Sequence, residues 1–258
     1  MDTENKYGTL NAQMGLLELL KEFHAFCVQN DIRYSLAYGS LLGAIRHKGF
    51  IPWDDDLDVF MDRNNYNKLA QMIEHSRDLQ VERDSVDSLW VDRVRRKQTE
   101  PKGKYQPTLD ILLLDNVPEA PMKRKVKLLL VLMLQGMIKP SPSFDKGSVV
   151  LRICSVATFV MGKLLPIKWK KSWYRKISQI GNSKPSKQVA NYNGEFADLR
   201  RCYPSDMMEH IVECDFEDTR AYIVKDYDMC LTTQFGDYMT PPQESERKPA
   251  HGGGILFT

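Results

Sequence analysis

Residues 35–60 read SLAYGSLLGAIRHKGFIPWDDDLDVF, and the most informative pattern of the sequence lies in this segment. It begins as an apolar strand, breaks at a Gly-Ser pair, continues as a short helix and turns at Gly49 and Pro52. It ends with four aspartates among the five residues 54–58, which run directly into a second apolar strand. Because uncompensated carboxylates beside a buried strand are costly, the pattern predicts a bound cation.

Two of these aspartates are predicted metal ligands. Side chains alternate between the two faces of an extended chain, so Asp56 and Asp58 point the same way while the residues between and after them enter the core. A third carboxylate, Asp110, is embedded in an apolar strand predicted over residues 108–114. Carboxylate oxygens suit hard divalent cations. We therefore predict Asp56, Asp58 and Asp110 as metal-binding and catalytic residues, with Mg²⁺ or Mn²⁺ as the cofactor.

Two other interpretations of the acidic stretch were considered. The spacing of the aspartates matches the start of a calcium-binding loop, but Val59 stands where that loop needs glycine and Asn65 where it needs glutamate. A purely structural acidic loop remains open. If the stretch binds a metal, Asp54 is expected to contact the metal ligands but not the metal, and Asp55 is expected to face away from the site.

The Gly-Ser pair and the residues after it are predicted to bind a phosphorylated donor. A strand that ends at Gly-Ser before a helix lets backbone N–H groups and the serine hydroxyl approach a phosphate. The first predicted metal ligand lies sixteen positions after this serine, and an isolated strand aspartate follows later, which is the layout of the nucleotidyltransferase fold. An arginine in the linker is suited to clamp phosphate in a bidentate manner. The predicted donor-binding residues are Gly39, Ser40, Arg46, His47, Lys48 and Asp54.

Periodicity along the rest of the chain predicts an α+β fold, in which a nucleotidyltransferase-like mixed sheet is flanked by helices and carries a basic helical insertion. Helices are predicted over residues 10–30, 40–48, 64–77 and 226–235, and strands over 32–38, 57–61, 79–82, 88–95, 108–114, 189–192 and 210–216. Five scattered cysteines without a CxxC pair predict reduced thiols. We divide the chain into a catalytic core (1–120), the insertion (121–186) and a part that completes the core (187–258).

The insertion is distinguished by its charge. Of the 36 Lys and Arg residues in the chain, thirteen lie between Pro121 and Lys176, together with a single acidic residue, Asp145. Leucine, methionine and tryptophan are interleaved with these charges. This composition fits either an interfacial helix on an anionic membrane or a solvated basic face. It is too apolar for a surface that tracks nucleic-acid phosphates, so no nucleic-acid partner is expected.

Several motifs resemble those of the LicD family, which is related to the fukutin-type sugar-phosphate transferases. The resemblance is strongest over residues 34–62, where Tyr38–Gly43 and Arg46–Val59 match the signature. Residues 108–116, Phe216-Glu217-Asp218 and residues 235–242 are similar to later motifs, and His251 matches a C-terminal histidine. Phe235 replaces an expected Tyr, and Leu112-Leu113 an expected Phe-Pro, but no carboxylate is affected. Residues 121–186 show little resemblance.

The resemblance implies transfer of phosphocholine, or a similar phospho-alcohol, from CDP-choline or a related CDP-alcohol to a hydroxyl of a cell-surface glycan, with release of CMP. The glycan would belong to lipopolysaccharide, capsule or teichoic acid, free or lipid-linked. Asp56 and Asp58 would hold the metal, and Asp110 would complete the site and help to deprotonate the acceptor. A choline group needs an aromatic cage, for which the candidates are Trp53, Trp90, Tyr105, Tyr192 and Tyr238.

Two alternatives to this function stay open. One is a nucleotidyltransferase that attacks the α-phosphorus and releases pyrophosphate, and the other is an inactive membrane-associated scaffold. The polar, acidic N-terminus is not a secretory signal, and no apolar run is long enough to cross a bilayer. We therefore expect a cytoplasmic protein, with peripheral contact at the inner face of the plasma membrane as a further possibility.

Overall fold

The computed structural model describes residues 6–83, 90–97, 106–142, 149–194 and 198–249. The α-helices within these ranges are α1 (Leu10–Gln29), α2 (Tyr38–Arg46), α3 (Arg63–Met72), α4 (Pro121–Ile138), α5 (Val149–Lys163), α6 (Ile167–Ser178) and α7 (Tyr227–Phe235). The strands are β1 (Ser35–Leu36), β2 (Asp58–Asp62), β3 (Leu79–Glu82), β4 (Asp92–Arg96), β5 (Leu109–Asn116), β6 (Gln188–Asn191), β7 (Tyr203–Pro204), β8 (Ile211–Phe216) and β9 (Thr219–Val224).

These elements form a mixed sheet with helices, which confirms the predicted α+β class. The chain divides into two compact units. Unit 1 comprises residues 1–82, 93–113 and 206–258, and unit 2 comprises 83–92 and 114–205. The predicted insertion falls within unit 2. The nucleotidyltransferase-like topology and the three-part division of the chain stay predictions.

Unit 1 is built on strands in the order β1-β2-β5-β4-β3, with β1 antiparallel to β2 and β3 antiparallel to β4. A separate antiparallel hairpin joins β8 to β9. Helix α1 forms because apolar residues recur every three or four positions, and this stripe is fully buried. The stripe packs against β9, and the side chains that make up this core include Leu16, Leu19, Leu20, Phe23, Ala221 and Ile223.

Unit 2 begins where β5 leaves unit 1 after Leu113. The last residues of β5 pair antiparallel with β6, and β6 pairs with the short β7. Helix α4 packs against both α5 and α6. Its buried face contributes to a core made of Val117, Val131, Leu134, Met137, Ile138, Tyr174, Ala190, Tyr192 and Leu199.

Two lysines of unit 2 are buried for structural reasons. Lys127 is fully buried and donates to the carbonyl of Asn116 at 3.0 Å, with its ammonium 3.6 Å from the centre of the Tyr192 ring. Lys170 donates to the carbonyls of Met137 and Gly162 at 2.9 and 2.8 Å. These carbonyls lie in the last turns of α4 and α5, where they lack partners within their own helices. One ammonium therefore caps two helix ends.

The described elements depart from the sequence prediction at the start of the acidic motif. The strand predicted over residues 32–38 is reduced to Ser35 and Leu36, and α2 begins at Tyr38 rather than at residue 40. Tyr38 has φ of 43°, which few side chains adopt, and this turns the chain abruptly from strand to helix. Strands β7 and β9 were not predicted. Part of the strand predicted over 88–95 lies outside the described residues.

All five cysteines are free, as predicted. Along the described parts of the chain, no helix combines the length and the hydropathy that a membrane span requires.

Candidate active site

The start of α2 lies directly against the acidic stretch. A side chain at Gly39 would place its Cβ 2.4 Å from Oδ2 of Asp54, so only glycine permits this approach. Gly39 sits in the first turn of α2, where unpaired N–H groups and the helix dipole favour negative charge. The structure thus brings together two of the predicted donor-binding residues.

Ser40 joins the same helix to the start of β2. Its buried hydroxyl accepts the backbone N–H of Asp58 at 2.9 Å. Asp58 is the first residue of β2, whereas Asp56 lies in the loop before the strand rather than on it. Burial still alternates through both positions, because Leu57 and Val59 are buried while the two aspartates are partly exposed. The predicted common orientation of the two carboxylates therefore agrees with the burial pattern.

The loop that carries the aspartates is fixed by α1 and by the residue before it. The side-chain amide of Gln13 donates to the carbonyls of Ile51 and Asp54 at 3.0 and 2.8 Å. The hydroxyl of Thr9, the residue that precedes α1, donates to the carbonyl of Pro52 at 2.7 Å. These contacts hold the backbone in a tight turn instead of an extended strand, which explains why β2 begins only at Asp58.

The other side of the loop is held by the turn of the β8–β9 hairpin. Glu217 accepts the N–H of Phe50 at 2.9 Å through its carboxylate and donates its own N–H to the carbonyl of Lys48 at 2.7 Å. A Cβ at Gly49 would lie 1.9 Å from the same carboxylate oxygen, so this position also requires glycine. Glu217 therefore fixes the path of the chain between the predicted phosphate-binding and metal-binding residues.

Negative charge is crowded at the start of the acidic stretch. Burial, the adjacent charge of Asp56 and a hydrogen bond with its carboxylate raise the pKa of Asp54 to about 8. The charge of Asp55 also raises this pKa, while a hydrogen bond with the backbone of Asp55 partly offsets the rise. Asp55, which was expected to face away from the site, is itself buried. The raised pKa of Asp54 reflects like charges held close together with little solvent, a condition that a bound cation would relieve.

Asp110 reaches the site from β5. Its backbone N–H donates to the carbonyl of Leu57 at 2.9 Å, which places it beside the residue that separates the two predicted ligands. Its carboxylate accepts two hydrogen bonds from the guanidinium of Arg93 on β4, from Nε at 2.7 Å and from Nη2 at 3.3 Å. This bidentate contact fixes the orientation of the Asp110 carboxylate.

The carboxylates are of the chemical type that binds a divalent cation, but they are not arranged closely around one point. They supply hard oxygen donors and an excess of negative charge, as Mg²⁺ or Mn²⁺ requires. Among the residues that the structure describes, no three His, Cys, Asp or Glu side chains converge closely enough to hold a metal ion.

Basic side chains gather at the end of α2. The guanidinium of Arg46 donates to the ring nitrogen Nε2 of His47 at 3.0 Å and to the carbonyl of Tyr238 at 2.8 Å. Arg247 approaches from the C-terminal segment and lies 5.1 Å from the centre of the Trp53 ring. Burial, together with Arg46 and then Arg247, lowers the pKa of His47, while burial followed by Arg247 lowers that of Arg46. Such mutual repulsion makes the cluster a candidate anion site.

The other predicted site residues are placed less directly. Lys48 adopts φ of 61°, and its charge lowers the pKa of Cys214 on β8, although burial raises the pKa of that thiol overall. Among the proposed cage residues, Trp53 lies in unit 1 at the basic cluster, 5.7 Å from the ring of Tyr7. The hydroxyl of Tyr238 donates to Asp228. Tyr105 and His251 fall outside the described residues.

Two cage candidates belong to unit 2 and have structural roles there. Trp90 stacks on Tyr174 and donates to the carbonyl of Asn193, and Tyr192 packs under Lys127. Unit 2 also contains a cavity of about 510 Å³, whose lining includes Glu119, Arg124, Lys187 and Cys202. None of the predicted catalytic residues lines this cavity.

Three residues of the site escaped the sequence prediction. Arg93 was overlooked because its partner became evident only from the position of β4 in the sheet. Arg247 lies in a Pro-rich segment without a regular pattern. Glu217 stands in one of the motifs that resemble the LicD family, and that motif was the signal that could have singled it out.

Comparisons with known proteins agree with these motifs. A family described as LicD/FKTN/FKRP, nucleotidyltransferase domain, matches residues 31–118. Over 255 residues the chain is 30% identical to the lipopolysaccharide cholinephosphotransferase LicD of Haemophilus influenzae, and the match covers 93% of this chain and 94% of that protein. The chain belongs to the LicD family. This confirms the resemblance seen in the sequence.

Two uncharacterised rickettsial proteins are similar to shorter stretches of this chain. The chain is 40% identical over 60 residues to one from Rickettsia prowazekii, covering 23% of each protein. It is 48% identical over 46 residues to one from Rickettsia typhi, covering 18% of this chain and 15% of that protein.

Proposed function

We infer that this protein is a LicD-like phosphotransferase that transfers phosphocholine onto lipopolysaccharide. The observation that carries this conclusion is the similarity to a lipopolysaccharide cholinephosphotransferase along nearly the whole of both chains. The three proposed catalytic carboxylates lie within the segment that matches the family, residues 31–118. Capsule and teichoic acid are the other acceptor classes to which the same chemistry would apply.

We propose CDP-choline, or a related CDP-alcohol, as the donor. A hydroxyl of the glycan attacks the phosphorus that bears choline, the bond from that phosphorus to the bridging oxygen breaks, and CMP leaves with the bonding electrons. Asp110 is the proposed acceptor of the hydroxyl proton. Its bidentate contact with Arg93 would hold the carboxylate in a defined orientation towards that proton.

We propose that Asp56 and Asp58 hold Mg²⁺ or Mn²⁺, with Asp110 beside them on the adjacent strand. The crowding of carboxylates that raises the pKa of Asp54 supports a cation at this position. When bound, such a cation offsets the negative charge of the donor phosphates and of the departing CMP. Gly39 and Ser40 contribute by fixing the acidic loop against the start of α2.

The basic cluster is proposed to bind the diphosphate of the donor. Arg46 and Arg247 supply guanidinium groups that match phosphate geometry, and His47 lies in hydrogen-bonding contact with Arg46. Trp53 already packs against the cation of Arg247, so its ring is suited to contact the quaternary ammonium of choline. Lys48 remains a proposed donor-binding residue at the edge of this cluster.

The reaction is proposed to take place in the cytoplasm, where cytidine-activated donors are available. The test is incubation of the purified protein with CDP-choline, Mg²⁺ and a lipopolysaccharide acceptor, followed by measurement of CMP and of choline in the glycan. We expect both products in equal amounts, and loss of both when EDTA replaces Mg²⁺.

The same experiment separates the alternatives. Release of pyrophosphate from CTP, without CMP release from CDP-choline, would identify a nucleotidyltransferase instead. If the wild-type protein formed no product and Asp58→Ala left the choline content of cellular lipopolysaccharide unchanged, the protein would be an inactive scaffold. Activity that persists in EDTA would contradict the metal dependence alone and would leave the phosphotransferase assignment intact.

A further inference from the structure

Helix α6 has its charged and aromatic side chains in unusual positions. Lys170 and Lys171 are buried, with 7% and 4% of their surfaces exposed, although lysine is almost never found fully inside. Trp169 and Trp173 are instead exposed at 58% and 43%. The two tryptophans are one helical turn apart and therefore form one outward-facing stripe, which exposed Lys176 and Ile180 continue.

Helix α5 also presents apolar side chains to the surface. Gly162 is its one buried residue, although eleven of its fifteen residues are neither charged nor hydroxylated. One stripe along its surface is entirely aliphatic, comprising Val149, Ile153, Val156 and Val160. Leu164 extends this stripe into the turn before α6 and is 81% exposed. Large exposed apolar surfaces of this kind mark interaction sites.

The exposed charges on these helices are of one sign. Part of the basic composition of the insertion comes from buried lysines. These lysines cannot contact an external partner. Arg152, Lys163, Lys168 and Lys176 are exposed on or beside α5 and α6, and no acidic residue occurs in residues 149–178. The surface therefore combines aliphatic side chains, two tryptophans and uncompensated positive charge.

We propose that α5 and α6 dock this protein on a bilayer that contains anionic lipid. Tryptophan prefers the boundary between headgroups and acyl chains, aliphatic side chains enter that boundary, and lysine and arginine interact with anionic headgroups. At fifteen residues, α5 is about 22 Å long, which is shorter than the hydrocarbon core of a bilayer, so the helices lie along the surface instead of crossing it.

A membrane fits this surface better than a second copy of the chain does. A symmetric dimer through the same face would bring the exposed arginine and lysine residues towards their own copies, without acidic residues on α5 or α6 to compensate them. Anionic lipid supplies the opposite charge. The inference goes beyond the proposed reaction, since it depends on the exposed residues of unit 2 and on no property of the carboxylate site.

The test is flotation of the full-length protein with vesicles of phosphatidylcholine alone or with 30% phosphatidylglycerol. We expect binding to the anionic vesicles at least about tenfold stronger than to the neutral ones, and weaker binding at high salt. Acyl-chain-brominated phosphatidylglycerol should quench tryptophan fluorescence. Replacing Trp169 and Trp173 by phenylalanine should remove this quenching, while Trp53 and Trp90 continue to fluoresce.

Two substitutions on α6 test the surface, and one substitution on α3 serves as their control. Trp169→Glu should weaken vesicle binding at least about tenfold, and Lys168→Glu about fivefold. Met72→Glu on α3 places the same negative charge at a similarly exposed apolar residue of unit 1 and should leave binding unchanged. Equal weakening by Met72→Glu would overturn the inference, as would equal binding to both kinds of vesicle.

Light scattering tests whether a second copy of the chain, instead of a membrane, covers the exposed face of α5 and α6. A dimer in the absence of lipid that dissociates in Trp169→Glu would show that a second copy covers this face, and would overturn the proposal. Transfer of phosphocholine to a soluble glycan fragment should be unaffected by Trp169→Glu. Failure of vesicle binding would thus contradict the docking surface but not the proposed reaction. Absence of product would contradict the proposed reaction but not the docking surface.

Discussion

The acidic loop of unit 1 and helix α6 of unit 2 both bury charged side chains, but they compensate them differently. In α6, the ammonium of Lys170 is met by two helix-terminal carbonyls, at 2.9 and 2.8 Å. In the loop, Asp54 is met by Asp56 and Asp55, and burial among these carboxylates raises its pKa to about 8. A buried charge that the protein satisfies internally supports the fold, whereas one surrounded by like charges is suited to a ligand.

The largest expected effect comes from removing a proposed metal ligand, Asp58, at the start of β2. Asp58→Ala should lower CMP release from CDP-choline by roughly 10³-fold, because a carboxylate that positions charge in the transition state is lost. Its melting temperature should change little, since the side chain of Asp58 is partly exposed. Loss of both folding and activity would mean that Asp58 is structural and would break the comparison with Lys170.

The contact between Gly39 and Asp54 is the next target. Gly39→Ala would place a methyl group 2.4 Å from Oδ2 of Asp54 and should displace the acidic loop. We expect a loss of about 10²-fold in turnover and a destabilisation of about 1–3 kcal/mol. In the double variant Gly39→Ala/Asp54→Ala, stability measured by urea denaturation should recover while activity does not. Recovery of neither would show that the contact is not the cause.

A smaller effect is expected at Arg93. Arg93→Lys keeps the charge but loses the bidentate contact with Asp110 and should lower turnover about tenfold. Because this ion pair is partly exposed, the free energy of unfolding should change by about 1 kcal/mol or less. Arg95→Gln is the matched control on the same strand, since Arg95 pairs with Glu82. A similar loss of turnover in Arg95→Gln would exclude a specific role for Arg93.

The internally satisfied lysine should show the reverse pattern. Lys170→Met removes the ammonium that donates to the carbonyls of Met137 and Gly162 and should cost about 1–3 kcal/mol in the free energy of unfolding. Turnover per folded molecule should be unchanged with a soluble acceptor. Lys168→Met, at an exposed position, should change stability by about 0.5 kcal/mol or less. A loss of turnover in Lys170→Met would show that unit 2 takes part in catalysis.

Sequence reasoning succeeded where the determining residues are close together in the chain. The Gly-Ser pair, the acidic stretch and the helix between them form a local pattern, and their contacts follow from its spacing. The position of Asp110 was also predictable, because an isolated carboxylate in an apolar strand is conspicuous. The α+β class followed from the alternation of apolar periodicities.

Contacts between distant segments could not be predicted in the same way. Arg93 meets Asp110 only through the placement of β4 in the sheet, and Arg247 meets Trp53 only through the path of the C-terminal segment. Composition likewise gives thirteen basic residues between Pro121 and Lys176 but does not show that Lys127, Lys170 and Lys171 point inward. Burial of a lysine depends on which carbonyls or rings lie near it, and one sequence does not contain that information.

The clamp formed by Glu217 has a consequence for the order of events during synthesis. Its carboxylate holds Phe50 across a sequence separation of 167 residues, so the loop lacks this contact until most of the chain has left the ribosome. At about 5–20 residues per second, the delay is roughly 10–30 s. The helices of unit 2 emerge during that interval. A nascent chain that already exposes α5 and α6 therefore still lacks the contact that fixes the acidic loop, and this contact can form only after Glu217 has emerged.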